Sequence, residues 1–178
     1  DGQLSSQGKT VDVSFERTLV MPDKMRMDIE LAHKFKVAFV VAGDRTWSSG
    51  PQGVDDLPPE QLPELERQRW VDPELILTRY RAPGAKVEAL PGKTLGGVDV
   101  DVVRVTSADH RFTAVLSFDR QTHMLVESRY PGPAGETVDT FGDYRLVSGV
   151  QVAHHRTSEG GGEKSDLTIT KVEIDPTI

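Results

Sequence analysis

The sequence predicts a mainly β (α+β) fold, in which one large, strongly curved antiparallel sheet carries two short inserted helices. Three observations predict this fold class. Apolar and polar residues alternate through the first forty residues, and a period of two is typical of strands. Helix-start and helix-stop signals occur between residues 59 and 84. From Lys86 onward, short alternating segments return at spacings of about 8–12 residues, as in an open barrel or a curved sheet.

The N-terminal alternation predicts an antiparallel meander with one dry face and one largely wet face. Met21–Lys24 has turn composition between the first two strands, and Ala42–Arg45 forms the next turn before a short fourth strand through Thr46 and Trp47. The stretch Asp1–Lys9 is predicted to be disordered or strand-like. The apolar positions of the first three strands are Val11, Val13, Phe15, Leu19, Met21, Met25, Met27, Ile29, Leu31, Phe35, Val37, Phe39 and Val41.

Two helices are predicted after the fourth strand. Ser48–Pro59 is rich in Gly, Pro, Ser and Asp, and it is therefore predicted to be a loop. Pro59–Trp70 contains helix formers and early acidic residues. Asp72-Pro73-Glu74 starts the second helix, because Asp caps free amides and Pro suits the first helical position. Leu75, Ile76 and Tyr80 form its apolar stripe.

The C-terminal half predicts seven further strands separated by turn signals, among them Pro91-Gly92. A change of parity near Lys171 predicts a β-bulge in the last strand. The strands are predicted near residues 86–90, 98–106, 111–118, 123–130, 136–147, 150–157 and 165–174.

Composition restricts the function classes. The 178 residues predict a single domain spanning 1–178, and 37% hydrophobic residues are too many for a disordered chain. The longest apolar run, Val37–Ala42, is much shorter than the roughly 20 residues of a spanning helix. The net charge of −7 without a basic block argues against nucleic acid as a main partner, and the lack of Cys excludes disulfides. Because the chain begins at Asp1 and not at Met, we expect a removed leader or excision from a longer protein.

No motif predicts catalysis, a cofactor or a metal. Gly92-Lys93-Thr94 lacks the glycine that a phosphate-binding loop needs at position 87, where Val87 stands. His154 and His155 are adjacent and would point to opposite sheet faces, which does not suit two ligands of one metal. Arg17 interrupts the apolar face of the first strand. We interpret it as a solvated strand end; the alternative is contact with a ligand headgroup or a buried acid.

Six segments in order along the chain carry a family resemblance. They are Met21-Pro22-Asp23-Lys24-Met25-Arg26-Met27-Asp28, Val41-Ala42-Gly43-Asp44-Arg45-Thr46-Trp47, Asp72-Pro73-Glu74-Leu75-Ile76-Leu77, Gly96-Gly97-Val98-Asp99-Val100-Asp101-Val102-Val103, Phe118-Asp119-Arg120-Gln121-Thr122 and Phe141-Gly142-Asp143-Tyr144-Arg145-Leu146-Val147-Ser148-Gly149-Val150. Through them the sequence resembles the LolA/LolB-like lipoprotein-carrier superfamily, especially its uncharacterised outer-membrane lipoprotein-sorting-type branch.

The resemblance implies a highly curved antiparallel half-barrel with the two short helices inserted as a lid. It also implies a non-enzymatic protein of the periplasm or cell envelope of a Gram-negative bacterium, with peripheral or no membrane contact and no cofactor. Such a protein would bind a lipid or the acyl chain of a lipoprotein in an apolar cavity between sheet and helices. The expected lining is Phe15, Leu19, Met25, Met27, Ile29, Phe35, Val37 and Phe39 from the strands, with Leu75, Ile76 and Tyr80 from the lid.

Three departures from the family pattern are visible. Met21 stands where carriers have an arginine before the proline that opens the second strand, which weighs against hand-over of a lipoprotein to an acceptor. The N-terminal helix of carriers is missing from this sequence. Ala153 stands where proline is common, and that proline is a structural residue.

Two other function classes stay open. The chain could be a non-catalytic interaction or structural domain appended to a larger periplasmic protein, such as an insulinase-type zinc peptidase. A hydrolase or isomerase acting in the cavity would instead need a pair of titratable groups that converge inside it.

Overall fold

A computed structural model of the protein describes residues 1–21 and 23–175. Within these residues, thirteen strands form one antiparallel sheet, and the predicted fold class is confirmed. The strands are β1 (Gly2–Ser6), β2 (Lys9–Val20), β3 (Lys24–Leu31), β4 (Phe35–Ala42), β5 (Arg45–Gly50), β6 (Gly53–Asp56), β7 (Lys86–Leu95), β8 (Val98–Thr106), β9 (Thr113–Asp119), β10 (Leu125–Gly132), β11 (Gly135–Val147), β12 (Val150–Gly160) and β13 (Glu163–Thr168).

The first and last strands of the chain lie next to each other in the middle of the sheet. The strand order runs β6-β5-β4-β3-β2-β1-β13-β12-β11-β10-β9-β8-β7. β1 pairs with β13, so the N-terminal and C-terminal halves are one continuous surface. β6 and β7 are the two edges, and the sheet curves into a half-barrel that does not close.

The helices form the connection between the two edges. A single 3-10 turn (Pro59–Gln61) leads into α1 (Leu62–Val71), which is followed by α2 (Pro73–Arg79). Because the chain must travel from β6 to the far edge at β7, this segment crosses one face of the curved sheet and covers part of it. We call α1 and α2 the lid helices. In the part of the chain that the structure describes, no helix is long and apolar enough to cross a bilayer.

Both lid helices are held by apolar packing. Trp70 and Val71 of α1 and Ile76 of α2 are buried against the C-terminal strands. Leu65 of α1 is buried against the N-terminal strands. The partners are Val105, Ala114, Leu116, Leu125, Phe141 and Ala153 in the first cluster, and Met25, Val41 and Leu57 in the second.

Several element boundaries differ from the sequence predictions. The predicted loop Ser48–Pro59 contains the end of β5 and all of β6, paired as a hairpin from Gly50↔Gly53 to Trp47↔Asp56, so six strands and not four precede the helices. Asp1–Lys9, predicted as disordered or strand-like, contains β1. Pro22, within the predicted turn Met21–Lys24, lies outside the described residues.

Two turn and bulge predictions in the C-terminal half were wrong. Pro91-Gly92 is not a turn: β7 continues to Leu95, with a register shift between Leu90 and Lys93. The absence of an amide hydrogen on Pro91 is tolerated because β7 is an edge strand. The last strand ends at Thr168, so the predicted bulge near Lys171 lies beyond the sheet.

Candidate functional site

The register of β2, β3 and β4 defines which side chains face the lid helices. Paired residues of antiparallel strands point to the same face, and alternate residues along one strand do as well. Phe15 pairs with Ile29, and Ile29 pairs with Val37. Leu19 and Phe39 pack against the cluster that contains Leu65 of α1, so this is the face toward the lid. All eight strand residues of the predicted lining lie on it.

These eight residues differ in how far the lid covers them. Met25 is buried under Leu65, with Leu19 and Phe39 packed beside it. The remaining members are half-buried, except that Phe35 is 63% exposed at the end of β4. The half-buried members are Phe15, Leu19, Met27, Ile29, Val37 and Phe39.

The three predicted lid residues also differ in burial. Leu75 and Ile76 are buried, and Ile76 packs within the C-terminal cluster beside Phe141 and Leu125. Tyr80, just after α2, is exposed and lies beside the guanidinium of Arg81. Leu75 and Ile76 are therefore covered in this structure, whereas Tyr80 is accessible at the end of α2.

In the described part of the chain, the same face also carries an apolar surface outside the two core clusters that the lid helices form with the sheet. Val13 pairs with Leu31, and Leu31 pairs with Phe35. The three residues are half-buried or exposed and belong to neither core cluster. A cavity of about 320 Å³ adjoins this surface, with Val37 and Phe39 on one side and the segment 48–53 with Asp55 and Gln61 on the other. That volume lies at the lower end of the range of small-molecule sites.

Arg17 is not a solvated strand end, and the sequence interpretation of it was wrong. Its guanidinium forms an ion pair with Asp72, and its Nη2 lies 2.9 Å from Oε2 of Glu74. Arg156 of β12 pairs with the same Glu74. Sequence reasoning missed this cluster because its members lie far apart along the chain. The alternative of a buried acid is the one that the structure supports.

The cluster also fixes the start of α2. The carboxylate of Asp72 accepts hydrogen bonds from the amides of Glu74 and Leu75, at 3.1 and 3.4 Å, as the predicted N-cap does. Burial raises the pKa of Asp72 to about 7, although the charge of Arg17 acts against this. Burial alone would also raise the pKa of Glu74, but the charges of Arg17 and Arg156 outweigh it and hold that pKa below its usual range.

A row of small polar side chains crosses the C-terminal part of the lid-facing surface. Ser128 pairs with Asp139, Asp139 with Ser158, and Ser158 with Ser165. Ser128 also pairs with Leu116, whose side chain lies in the cluster under the lid helices. We call these four residues the polar row. Sequence reasoning missed them because isolated Ser and Asp residues in strands carry no motif.

Tyr130 and Arg67 lie over one end of the polar row. The hydroxyl of Tyr130 donates to Asp139 at 2.9 Å, and the guanidinium of Arg67 from α1 stacks 5.3 Å above the Tyr130 ring. Burial raises the pKa of Asp139 and also that of Tyr130. These two groups form a pair of titratable side chains inside the half-barrel.

Metal ligands do not converge in the described residues. No group of three or more His, Asp or Glu side chains there could hold a metal ion. His154 is buried and His155 is exposed, so the two adjacent imidazoles lie in different surroundings.

Comparison with known proteins identifies the fold. No family model matches the sequence, and no curated protein matches it significantly. A protein domain from Vibrio parahaemolyticus, named for outer membrane lipoprotein sorting, superposes with a TM-score of 0.65 at 12% identity, covering 99% of this chain and 83% of that one. A DUF1329 family protein from Desulfovibrio piger gives 0.59 at 10% identity, covering 94% and 80%.

A LolA superfamily protein from Nitrosomonas europaea has the same architecture. Its TM-score is 0.50 at 12% identity, covering 94% of this chain and 83% of that one. All three identities are too low to transfer a function, so the likeness concerns the fold. The open, curved sheet with its helical lid is a LolA-like fold.

Proposed function

We propose that this protein is a non-enzymatic component of the cell envelope, in the periplasm of a Gram-negative bacterium, that binds a lipid or the acyl chain of a lipoprotein between the sheet and the lid helices. The proposed lining is the face of β2, β3 and β4 together with α2. It comprises Phe15, Leu19, Met25, Met27, Ile29, Phe35, Val37, Phe39, Leu75, Ile76 and Tyr80.

The observation that carries this proposal is the apolar surface beyond the lid helices. Val13, Leu31 and Phe35 form a continuous cross-strand row that, within the described residues, lies outside both core clusters under the lid helices. Exposed apolar patches on a soluble surface commonly mark ligand or partner sites. An acyl chain gains about 0.8 kcal/mol for each CH₂ that it buries, so several methylene groups on this surface would give useful affinity.

The sheet and the lid offer complementary properties for such a ligand. The methionines Met25 and Met27 are flexible and suit chains of variable shape. The lid is tied to the sheet by apolar packing and by the ion pairs of Arg17 and Arg156 with the first turn of α2. An opening at these contacts would extend the uncovered surface under α2.

Native mass spectrometry tests the proposal. The protein would be expressed with an envelope-targeting leader in a Gram-negative host, extracted without detergent and analysed directly. We expect adducts with lipid masses that disappear when the same protein is unfolded in urea, washed and refolded. The refolded protein should then displace a bound acyl-chain fluorophore on addition of fatty acid. Adduct-free protein that also fails to bind the fluorophore would contradict lipid binding.

A second function class is favoured by the close packing under the lid. Trp70 and Ile76 are buried against the sheet, and the Trp70 ring stacks on that of Phe112, as in an ordinary core. This suits a non-catalytic interaction domain of a larger periplasmic protein. The sequence of the complete gene decides: a zinc peptidase upstream would favour it, and a leader directly before Asp1 would disfavour it.

A further inference from the structure

The lid-facing surface contains buried polar atoms that make no hydrogen bond to another protein atom. Within the described residues, Oγ of Ser128, Oδ1 of Asp139 and Nε of Arg156 are buried and have no protein partner within 3.5 Å, although the Ser158 hydroxyl lies close enough to Asp139 to act against the rise of its pKa. Such unpartnered groups are rare in folded proteins, because each loses its hydration without compensation. Ser128 and Asp139 are direct cross-strand neighbours. Three of the five such atoms in the described residues therefore lie on the lid-facing side of neighbouring strands; the other two are Nε of Arg69 and Oγ of Ser117.

These atoms have a defined hydrogen-bonding character. Oδ1 of Asp139 accepts, Nε of Arg156 donates, and the Ser128 hydroxyl does both. The positive charge of Arg156 is already balanced by Glu74, and Arg67 pairs with Glu64. An anionic group would face the carboxylate of Asp139 without an unpaired cation to offset it. A neutral group with several hydroxyls fits the arrangement better.

The polar row leads into the apolar surface along one line across the sheet. Ser165 at its end pairs with Leu4, and Leu4 pairs with Val11. From Asp139 to Val11 the line crosses four interstrand spacings, or roughly 20 Å. A molecule with a polar head and an apolar tail would find matching surface along its length.

We propose that the polar row, Ser128, Asp139, Ser158 and Ser165, with Arg156 beside it, binds the neutral hydroxylated headgroup of an acyl lipid whose tail lies toward Leu4 and Val11. The inference rests on the proposed function, because it assigns the headgroup end of the same ligand. Arg67 stacks over Tyr130 and shields this end of the row in the present structure. Headgroup binding requires Arg67 and α1 to move outward.

The chain supplies a matched control for Ser128. Ser117 on β9 is also fully buried, and its hydroxyl also lacks a partner. Ser117 is the sequence neighbour of Leu116, so its side chain points to the opposite face of the sheet, away from the lid helices. Loss of either hydroxyl removes one unpartnered group from the protein interior, but only Ser128 lies in the polar row.

The test compares two ligands that share one acyl chain. Displacement of a fluorescent acyl probe gives affinities for 1-monooleoylglycerol and for methyl oleate, and their ratio measures headgroup preference. We expect wild-type protein to prefer monooleoylglycerol, and Ser128→Ala to reduce that preference about 3- to 10-fold, as for loss of one hydrogen bond. The urea midpoint of Ser128→Ala should stay unchanged or rise. Ser117→Ala should leave the preference intact.

A second variant tests the headgroup site at another residue, in case Ser128→Ala changes binding by an indirect effect on the protein. Asp139→Asn keeps the shape of the side chain and an oxygen that can accept from Tyr130, and it should also lower the preference for monooleoylglycerol. Equal affinities of the wild type for both ligands, or an unchanged preference in Ser128→Ala and Asp139→Asn, would overturn the headgroup site while leaving acyl binding intact. Failure of both ligands to bind would contradict the proposed function and the headgroup site together.

Discussion

The guanidinium groups of Arg17 and Arg156 meet at one carboxylate, that of Glu74. Arg17 is on β2 and Arg156 is on β12, with β1 and β13 between them in the sheet. These two central strands are where the ends of the chain pair. The first turn of α2 therefore straddles the junction of the N-terminal and C-terminal halves and ties both to the lid.

Replacement of Arg17 should destabilise the protein. Arg17→Leu leaves Asp72 partly buried without its ion-pair partner, and removal of one member of a buried pair costs on the order of 3 kcal/mol. Urea unfolding measures the loss. Arg26→Leu is the control, because its pair with Asp28 is exposed on the other face and should contribute little to stability. Equal stability of the two variants would contradict a structural role for the cluster.

The stability of the protein should carry a pH dependence that originates at Asp72. Its pKa rises from 3.8 to about 7 in the folded state, so the folded protein holds the proton more tightly than the unfolded chain does. The resulting stabilisation is complete below pH 3.8 and is lost as the pH rises through 7. Asp72→Asn keeps a good N-cap residue but cannot titrate.

We therefore expect the free energy of unfolding of the wild type to decrease, relative to that of Asp72→Asn, between pH 5 and pH 8. Urea titrations of both proteins at four pH values measure this difference, in which the groups that do not interact with Asp72 cancel. A constant difference, or one that changes in favour of the wild type as the pH rises, would mean that Asp72 is ionised throughout this range.

The contribution of lid packing can be separated from that of the ion cluster within α2. Ile76 is 1% exposed and its neighbour Leu77 is 43% exposed. Ile76→Ala should lower the free energy of unfolding by about 2–5 kcal/mol, because it leaves a cavity among Phe141, Leu125 and Trp70. Leu77→Ala should cost less than about 1 kcal/mol. Similar costs would indicate that α2 does not pack as tightly on the sheet as described.

Alternation was sufficient to predict the lid-facing surface of the first strands. Phe15, Ile29 and Val37 share a face because a period of two leaves no other arrangement once the strands pair in register. Asp72 as the N-cap of α2 was predictable for a similar reason, since its partners are the next residues of the chain. Local sequence patterns were therefore sufficient to predict which side chains share a sheet face and where α2 begins.

The features that the sequence did not predict depend on distant partners. Arg17 was interpreted as solvated because its partners, Asp72 and Glu74, follow it by 55 and 57 positions. Pro91-Gly92 has the composition of a turn, and only its place on an edge strand allows β7 to continue through it. The polar row was invisible for the same reason: Ser128 and Asp139 become neighbours only through the register of β10 and β11.

The apolar surface beyond the lid can be tested at a residue whose replacement should not disturb folding. Phe35 and Val54 are similarly exposed, at 63% and 66%, but they lie on opposite faces of the sheet. Phe35 is on the lid-facing side. Val54 pairs with Ser49, and Ser49 pairs with Ala38, so Val54 points to the other face. Phe35→Gln should weaken binding of an acyl-chain fluorophore about 3- to 10-fold, because it removes apolar contact area from the proposed site. Val54→Gln should bind like the wild type, and both variants should unfold at the wild-type urea concentration. Equal binding by both variants would remove Phe35 from the lining, and stronger loss in Val54→Gln would place the ligand on the other side of the sheet.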